Sequence, residues 1–137
     1  MPRAWILALT CLAACRTTSS SAPPNVGSAV ITRAEAVYAW EVRDGGELRG
    51  YVVRFETGEE RSQTWYSVRN THQQELGLVD ADGRAWRYRP HQREPEWLGT
   101  GTVARGSRLV LEVSEGAEMI GIDRAHLSEM RAKSSGS

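Results

Sequence analysis

The stretch Tyr51-Val52-Val53-Arg54-Phe55-Glu56 decides the fold class of this chain. Its odd-numbered positions are aromatic or β-branched, whereas both charged groups lie at even-numbered positions. Successive side chains of an extended chain point to opposite sides, so a period of two gives one apolar and one polar face. Aromatic and β-branched residues also favour strands. The stretch therefore predicts a half-buried β-strand.

The same alternation recurs along the chain and indicates further strands over residues 36–43, 65–70, 86–89 and 109–114. Short turn sequences separate the alternating runs, and Asp-Gly between such runs is a strong hairpin signal. They are Asp44-Gly45-Gly46, Thr57-Gly58-Glu59, Asp82-Gly83 and Ser114-Glu115-Gly116. We therefore predict an all-β fold, a small antiparallel meander that forms a barrel or a sandwich.

Two segments carry helix signals. Thr32-Arg33-Ala34-Glu35 fits a capping box that would start a helix over residues 32–40. We favour the strand over 36–43, because its aromatic and branched residues alternate straight into the following Asp-Gly-Gly turn. Near the end of the chain, Asp123 is placed to cap a short C-terminal helix that carries Leu127 and Met130.

The chain has 137 residues, about one domain's worth. It contains 17 Lys and Arg and 17 Asp and Glu, for a formal net charge of +0. This balance argues against a strongly basic nucleic-acid binder. We predict a signal peptide over residues 1–14, a lipidated flexible tether over 15–28, a β domain over 29–126 and a frayed C-terminal tail over 127–137.

The first residues have the organisation of a secretory signal: a basic start, a short apolar run and small residues before Cys15. The run is shorter than the roughly 20 residues that a membrane-spanning helix needs. Leu12-Ala13-Ala14-Cys15 resembles the lipobox of bacterial lipoproteins. The resemblance implies diacylglyceryl transfer to the Cys15 thiol, cleavage before it and acylation of the new N-terminus. The alternative is an ordinary signal peptide with a chance cysteine.

Lipidation also accounts for the cysteine content. Cys11 lies in the segment predicted to be removed, so Cys15 would be the single cysteine of the mature chain, without an internal disulfide partner. Arg16 at the next position is similar to the outer-membrane sorting signal of enteric lipoproteins. Residues 16–28 are rich in hydroxyl side chains and contain two prolines, which predicts a flexible spacer with a reach on the order of 20 Å.

The β region carries only loose resemblances. Residues 40–52 and 66–79 form two similar hairpin patterns, each with Glu-Leu opening its second strand, and a duplicated hairpin or convergent hairpin chemistry explains the similarity equally well. The hairpins are faintly similar to those of tubby-like and PRC-type β-barrels. Residues 64–102 resemble a stretch of uncharacterised small bacterial lipoproteins. These resemblances imply no activity.

No motif for catalysis or metal binding stands out. His72, His91 and His126 lack metal-ligand spacing, and Asp80-Ala81-Asp82-Gly83 lacks the later ligands of a calcium loop. No serine lies in a G-x-S-x-G motif. Gly99-Thr100-Gly101-Thr102 is followed by neither a lysine nor a helix pattern, so it is not predicted to be a phosphate loop. We therefore expect a protein that is not an enzyme, without a metal or a cofactor.

Arginine is the more informative residue type, because 16 of the 17 basic residues are Arg. Arg54, Arg69, Arg87 and Arg89 all fall opposite the aromatic side of their predicted strands. On neighbouring strands they would form an arginine-rich sheet face for phosphate or uronate groups, which the guanidinium binds through paired hydrogen bonds. The alternative, which we favour, is that they pair with Glu56 and neighbouring carboxylates.

The segment from Pro90 to Leu98 contains two prolines and is predicted to be a loop. Its Trp97 either plugs one end of the domain or stands exposed as a binding anchor, in which case Trp97, His91 and Arg93 would form a contact patch for glycan or protein. The weakest hypothesis is a hydrolase that uses His91 with Glu94 or Glu96.

The sequence thus predicts a lipid-anchored protein of the bacterial cell envelope, placed by resemblance in the outer membrane and facing the periplasm. Its partners would be membrane lipid through acylated Cys15 and an envelope protein or glycan, with no nucleic acid. The β domain is predicted to be a non-catalytic interaction or structural module. The alternative is binding of an anionic envelope glycan or lipid headgroup through the arginine-rich face or the Trp97 loop.

Overall fold

A computed structural model describes residues 34–57 and 63–134. The described strands are β1 (Glu35–Asp44), β2 (Glu47–Thr57), β3 (Gln63–Asn70), β4 (Glu75–Asp80), β5 (Arg84–Arg87), β6 (Glu96–Thr100) and β7 (Glu118–Ile122). The described helices are α1 (Val103–Leu111) and α2 (Arg124–Ser134). The predicted signal peptide, Cys15, the tether over residues 15–28 and most of the turn at residues 57–59 lie outside the described residues.

The seven strands form one antiparallel sheet in the order β6-β5-β4-β3-β2-β1-β7. Six strands follow one another as a meander, and the chain then returns through α1 to place β7 beside β1. The predicted all-β meander is confirmed. So is the β1–β2 hairpin, where Asp44 pairs with Glu47 and both turn glycines have a positive φ that other residues rarely adopt.

The strand predicted over residues 109–114 is wrong, because this region begins with the end of α1. The hydroxyl of Thr102 accepts a hydrogen bond from the backbone N–H of Arg105 and caps the helix. Gly106, Ser107 and Val110 are buried at helical spacing, whereas Leu109 stays exposed. The expectation that no helix follows residues 99–102 is also wrong.

Helix α1 packs closely on the sheet because the residues on its buried side are small. A Cβ added to Gly106 would lie 3.0 Å from a methyl group of Val79 and 3.1 Å from the Cβ of Ala85. The core on this side combines residues of six elements and the turn before β7, namely Val42, Val52, Val68, Val79, Ala85, Val110 and Ala117.

Helix α2 covers the opposite side of the sheet near β1 and β2. Val53 is adjacent to Val52 and so points the other way, where it packs with Ala39 and Ile122 and with Leu127 and Met130 of α2. Strand β2 is therefore buried on both sides, not half-buried as the sequence suggested. The paired valines are the physical reason, since each belongs to a different core.

The C-terminal helix is confirmed, since the Asp123 carboxylate accepts from the backbone N–H of His126 at 3.0 Å. Leu127 and Met130 are each only 8% exposed, so the predicted boundary at residue 126 cuts through a packed helix and is wrong. Within the described part of the chain, neither α1 nor α2 nor any other helix combines the length and apolar character needed to span a bilayer.

Candidate functional site

The four candidate arginines do not share one face of the sheet. Arg54 is two residues from the core residue Val52 and so points to the α1 side, and Arg87 bonds to α1 itself. Arg69 follows Val68 and points to the opposite side, where α2 lies. Arg89 lies beyond the end of β5. The prediction of a single arginine-rich face is therefore wrong, because the strand register separates its members.

Three of these arginines are held by carboxylates. Arg54 pairs with Glu56 at 2.6 Å, Arg87 pairs with Glu112 at 2.5 Å and Arg89 pairs with Glu96 at 2.7 Å. The hydrogen bond from Arg89 holds the pKa of Glu96 below its usual range and raises the pKa of Arg89 itself. The positive charges of these three side chains are therefore neutralised by ion pairs.

Arg69 is the exception among the four. Its Nε donates to the hydroxyl of Ser67 at 3.1 Å, and its guanidinium carbon lies 5.7 Å from the centre of the Phe55 ring. Among the described residues, no carboxylate lies within 4 Å of this guanidinium. Because Nε is engaged, the two terminal Nη groups remain available to an incoming anion as an end-on fork.

Two cavities meet at Arg69 on the α2 side of the sheet. The first, called here the α2 cavity, has a volume of about 380 Å³ and is lined by Ala34, Glu35, Ala36, Val53, Phe55, Arg69, Leu127 and Met130. The second, called here the aromatic cavity, has a volume of about 280 Å³ and is lined by Ala34, Phe55, Trp65, Arg69, Glu75, Leu78 and Tyr88. Arg69 and Phe55 belong to both linings.

The aromatic cavity is built on a stacked ring pair. Phe55 of β2 and Trp65 of β3 are direct cross-strand neighbours, with ring centroids 5.7 Å apart and planes inclined by 14°. Arg69 lies four residues after Trp65 on the same strand, so the sheet period brings its side chain to the same face. The guanidinium of Arg69 therefore lies over the ring of Phe55.

A polar chain fixes the position of Arg69. The Ser67 hydroxyl accepts from Arg69 and donates to the Glu75 carboxylate at 2.5 Å. Ser67 is completely buried, so its hydroxyl serves to position the guanidinium. At the other side of the aromatic cavity, partial burial first and the neighbouring Glu75 second raise the pKa of Tyr88, which stays 37% exposed, to about 12. Tyr88 is therefore a neutral hydroxyl at physiological pH.

The remaining candidate residues lie apart from this arrangement. His91 and Arg93 are exposed in the segment before β6, which ends at Pro95. Trp97, predicted on that loop, instead belongs to β6, where its ring packs 5.3 Å from that of buried Trp86 and it stays 41% exposed. The prediction of a loop through Leu98 is wrong because Trp97 adds a cross-strand partner for Trp86.

Metal binding has no preformed centre in the described residues, where no three His, Cys, Asp or Glu side chains are grouped to hold an ion. No protein family, curated protein or solved structure matches the chain. What the site can bind is therefore argued from its own side chains. A guanidinium that is held in place has the chemistry to bind an anion through charge-assisted hydrogen bonds.

Proposed function

We propose that the protein is a lipid-anchored lipoprotein of the bacterial cell envelope whose β domain binds a ligand without transforming it. The similarity of Leu12-Ala13-Ala14-Cys15 to a lipobox supports the anchor. Acylation of Cys15 with two or three chains would hold the protein firmly at a bilayer. The proposed location is the outer membrane, with the domain in the periplasm.

The ligand carries an anionic group, a carboxylate or a phosphate, that binds to Arg69. The supporting observation is that Arg69 alone among the four candidate arginines has no carboxylate within 4 Å in the described structure, while it is held on Ser67 and Phe55 beside two cavities. Both an acidic envelope glycan and a phospholipid headgroup present this chemistry.

Binding without catalysis follows from the surroundings of the cation. The hydroxyl bonded to Arg69, that of Ser67, is buried and engaged by both Arg69 and Glu75, so it cannot meet a substrate. The weaker hydrolase hypothesis loses one of its carboxylates, because Glu96 is held by Arg89. Among the described residues beside the cation, the Ser67 hydroxyl and the Glu75 carboxylate are engaged with each other, which favours recognition over turnover.

Anion binding is tested in the full chain that carries Cys15→Ser, which removes the acylation site. Glucuronate, inorganic phosphate, acidic polysaccharide and vesicles with anionic phospholipid are titrated while tryptophan fluorescence is followed, because Trp65 lies in the aromatic cavity. We expect saturable binding that weakens with salt and falls at least tenfold in Arg69→Gln. The polysaccharide and vesicle arms identify the natural source.

The matched control is Arg49→Gln, which removes the same charge from an exposed side chain of β2 that lies 3.5 Å from Glu47. It should leave affinity unchanged. Binding that is equal in the Arg69 and Arg49 variants, or no binding in any arm, would refute the anion site.

The anchor is tested separately on the protein isolated from membranes. Mass spectrometry should find a chain that begins at Cys15 with a diacylglyceryl thioether, and Cys15→Ser should prevent this modification. An unmodified Cys15 thiol, or a mature chain that keeps Met1, contradicts the proposed anchor.

A further inference from the structure

We propose that the ligand of Arg69 is an acyl-chain amphiphile, whose anionic head binds the guanidinium while its tail lies in the α2 cavity. This inference rests on the proposed anion site and names its ligand class.

The composition of the α2 cavity carries the inference. Five of its eight lining residues are apolar side chains of β1, β2 and α2, namely Ala36, Val53, Phe55, Leu127 and Met130. Arg69 is its single cation, and Glu35, the other charged residue of the lining, is exposed. A site with one cation beside a group of apolar side chains matches a molecule with one anionic head and an apolar body.

A sugar ring fits these walls less well than an acyl chain does. Hydroxyl groups that enter a cavity without hydrogen-bond partners lose their hydration without compensation. Apart from Arg69 and exposed Glu35, the α2 cavity offers only apolar side chains. The polar groups of this region, Ser67 and Glu75, are bonded to each other, and Glu75 faces the aromatic cavity instead.

Helix α2 supplies the side of the cavity that can adapt to a chain. It contributes Leu127 and Met130 to the lining, and a methionine side chain adjusts to irregular apolar shapes more readily than a branched one. The opposite side is strand β2, which is fixed between β1 and β3. The acyl chain would therefore lie between strand β2 and the Leu127 and Met130 side chains of α2.

The experiment titrates acetate and the saturated carboxylates from butanoate to decanoate into the full chain that carries Cys15→Ser, so that no detergent competes. The affinity should increase about three- to fourfold for each added methylene until the cavity is filled. Octanol, which has the chain without the charge, should bind at least tenfold more weakly than octanoate. Arg69→Gln should abolish this difference.

A second variant tests the position of the chain. Ala36→Leu adds bulk inside the α2 cavity and should flatten the dependence on chain length while acetate and phosphate still bind at Arg69. The control is Leu109→Ala, which truncates an exposed apolar side chain of α1 on the other side of the sheet. Thermal unfolding of each variant verifies that it is folded.

The outcomes separate this inference from the anion site. If acetate and phosphate bind in an Arg69-dependent manner but added methylenes bring no gain, the amphiphile is wrong and the anion site stands. If octanoate binds equally well to Arg69→Gln, the head is not at Arg69 and the inference fails. If no anion binds at all, both proposals fail. Chain-length dependence that Ala36→Leu removes supports the amphiphile.

Discussion

The Nε of Arg87 donates to the backbone carbonyl oxygen of Val110 at 3.1 Å, and so ties β5 to the last turn of α1. Its Nη2 donates to the carbonyl of Leu109 in the same turn. The last carbonyls of a helix have no regular intrahelical partner, so the buried guanidinium supplies the Val110 carbonyl with a donor and adds to the N–H of Glu112 at the Leu109 carbonyl. Arg87 thus has a structural role, because it connects β5 to α1.

Replacing Arg87 with methionine should lower the free energy of unfolding by about 2–4 kcal/mol, because two helix-end carbonyls lose a charged donor in a buried setting. Urea unfolding followed by circular dichroism measures the change. Arg89→Met is the matched control, since its ion pair with Glu96 is exposed and should contribute little. Equal losses in the two variants would show that Arg87 does not hold α1.

Arg87 also illustrates what the sequence leaves open. The alternation in β5 correctly predicts a strand, but it does not tell which face α1 will cover. The partners of Arg87 are 22 and 23 residues away, on an element that the sequence predicted to be a strand. A long-range contact with a misassigned helix therefore could not be derived from the local pattern, which left Arg87 as either an ion-pairing side chain, the favoured alternative, or a ligand group.

Gly77 of β4 marks a close approach between two strands and α1. A Cβ at this position would lie 2.2 Å from the carbonyl oxygen of Trp86 and 3.0 Å from a methyl group of Val110. Gly77→Ala should therefore cost about 3 kcal/mol, because neither the neighbouring strand nor α1 can retreat without losing its contacts. Gly116→Ala, whose Cβ would meet only the Ser114 hydroxyl at 3.7 Å, should be nearly neutral in the same unfolding assay.

The Thr102 cap explains why α1 begins where it does. Thr102→Ala should reduce the free energy of unfolding by about 1 kcal/mol, since the backbone N–H of Arg105 loses its partner. Thr102→Ser keeps the hydroxyl and should restore most of the loss. If serine is as destabilising as alanine, the methyl group and not the hydrogen bond is what matters at this position.

The prediction of a strand in the region of α1 was wrong for a specific reason. Leu109, Leu111 and Val113 alternate as a strand would, yet Gly106, Ser107 and Val110 form the helical spacing that is buried. Small residues carry little hydrophobic signal, although they are what allows a helix to approach a sheet closely. The hairpin at Asp44-Gly45-Gly46 was predictable because its signal is local and its glycines adopt positive φ values that few residues tolerate.

The candidate site was also predictable only in part. Arg69 could be named from the strand pattern, but its difference from Arg54 lies in the partners that each meets. Ser67 lies two residues before Arg69 on β3, whereas Glu75 is brought beside them by the β3–β4 pairing, in which a register shift lies between Val68 and Arg69. No local pattern contains that irregularity, so the sequence listed the cation without the groups that position it.

Tyr88 offers a direct measurement of the electrostatics at this site. Burial and then the nearby Glu75 raise its pKa to about 12 from an ordinary value of about 10. Spectrophotometric titration should therefore find one of the four tyrosines ionising about two pH units late. Glu75→Gln should lower the pKa of Tyr88 only part of the way, because burial is the larger cause.

The same shift fixes the sign of a stability change in alkali. The unfolded chain ionises Tyr88 near pH 10, whereas the native state keeps the proton until about pH 12, so the native state binds more protons between these values. The stabilisation is complete below pH 10 and is lost as the pH rises through this window. Tyr88→Phe should remove that part of the alkaline loss, and Glu94→Gln in the exposed loop should not. A wild-type and a Tyr88→Phe chain with parallel stability curves from pH 9 to 12 would show that Tyr88 ionises alike in both states.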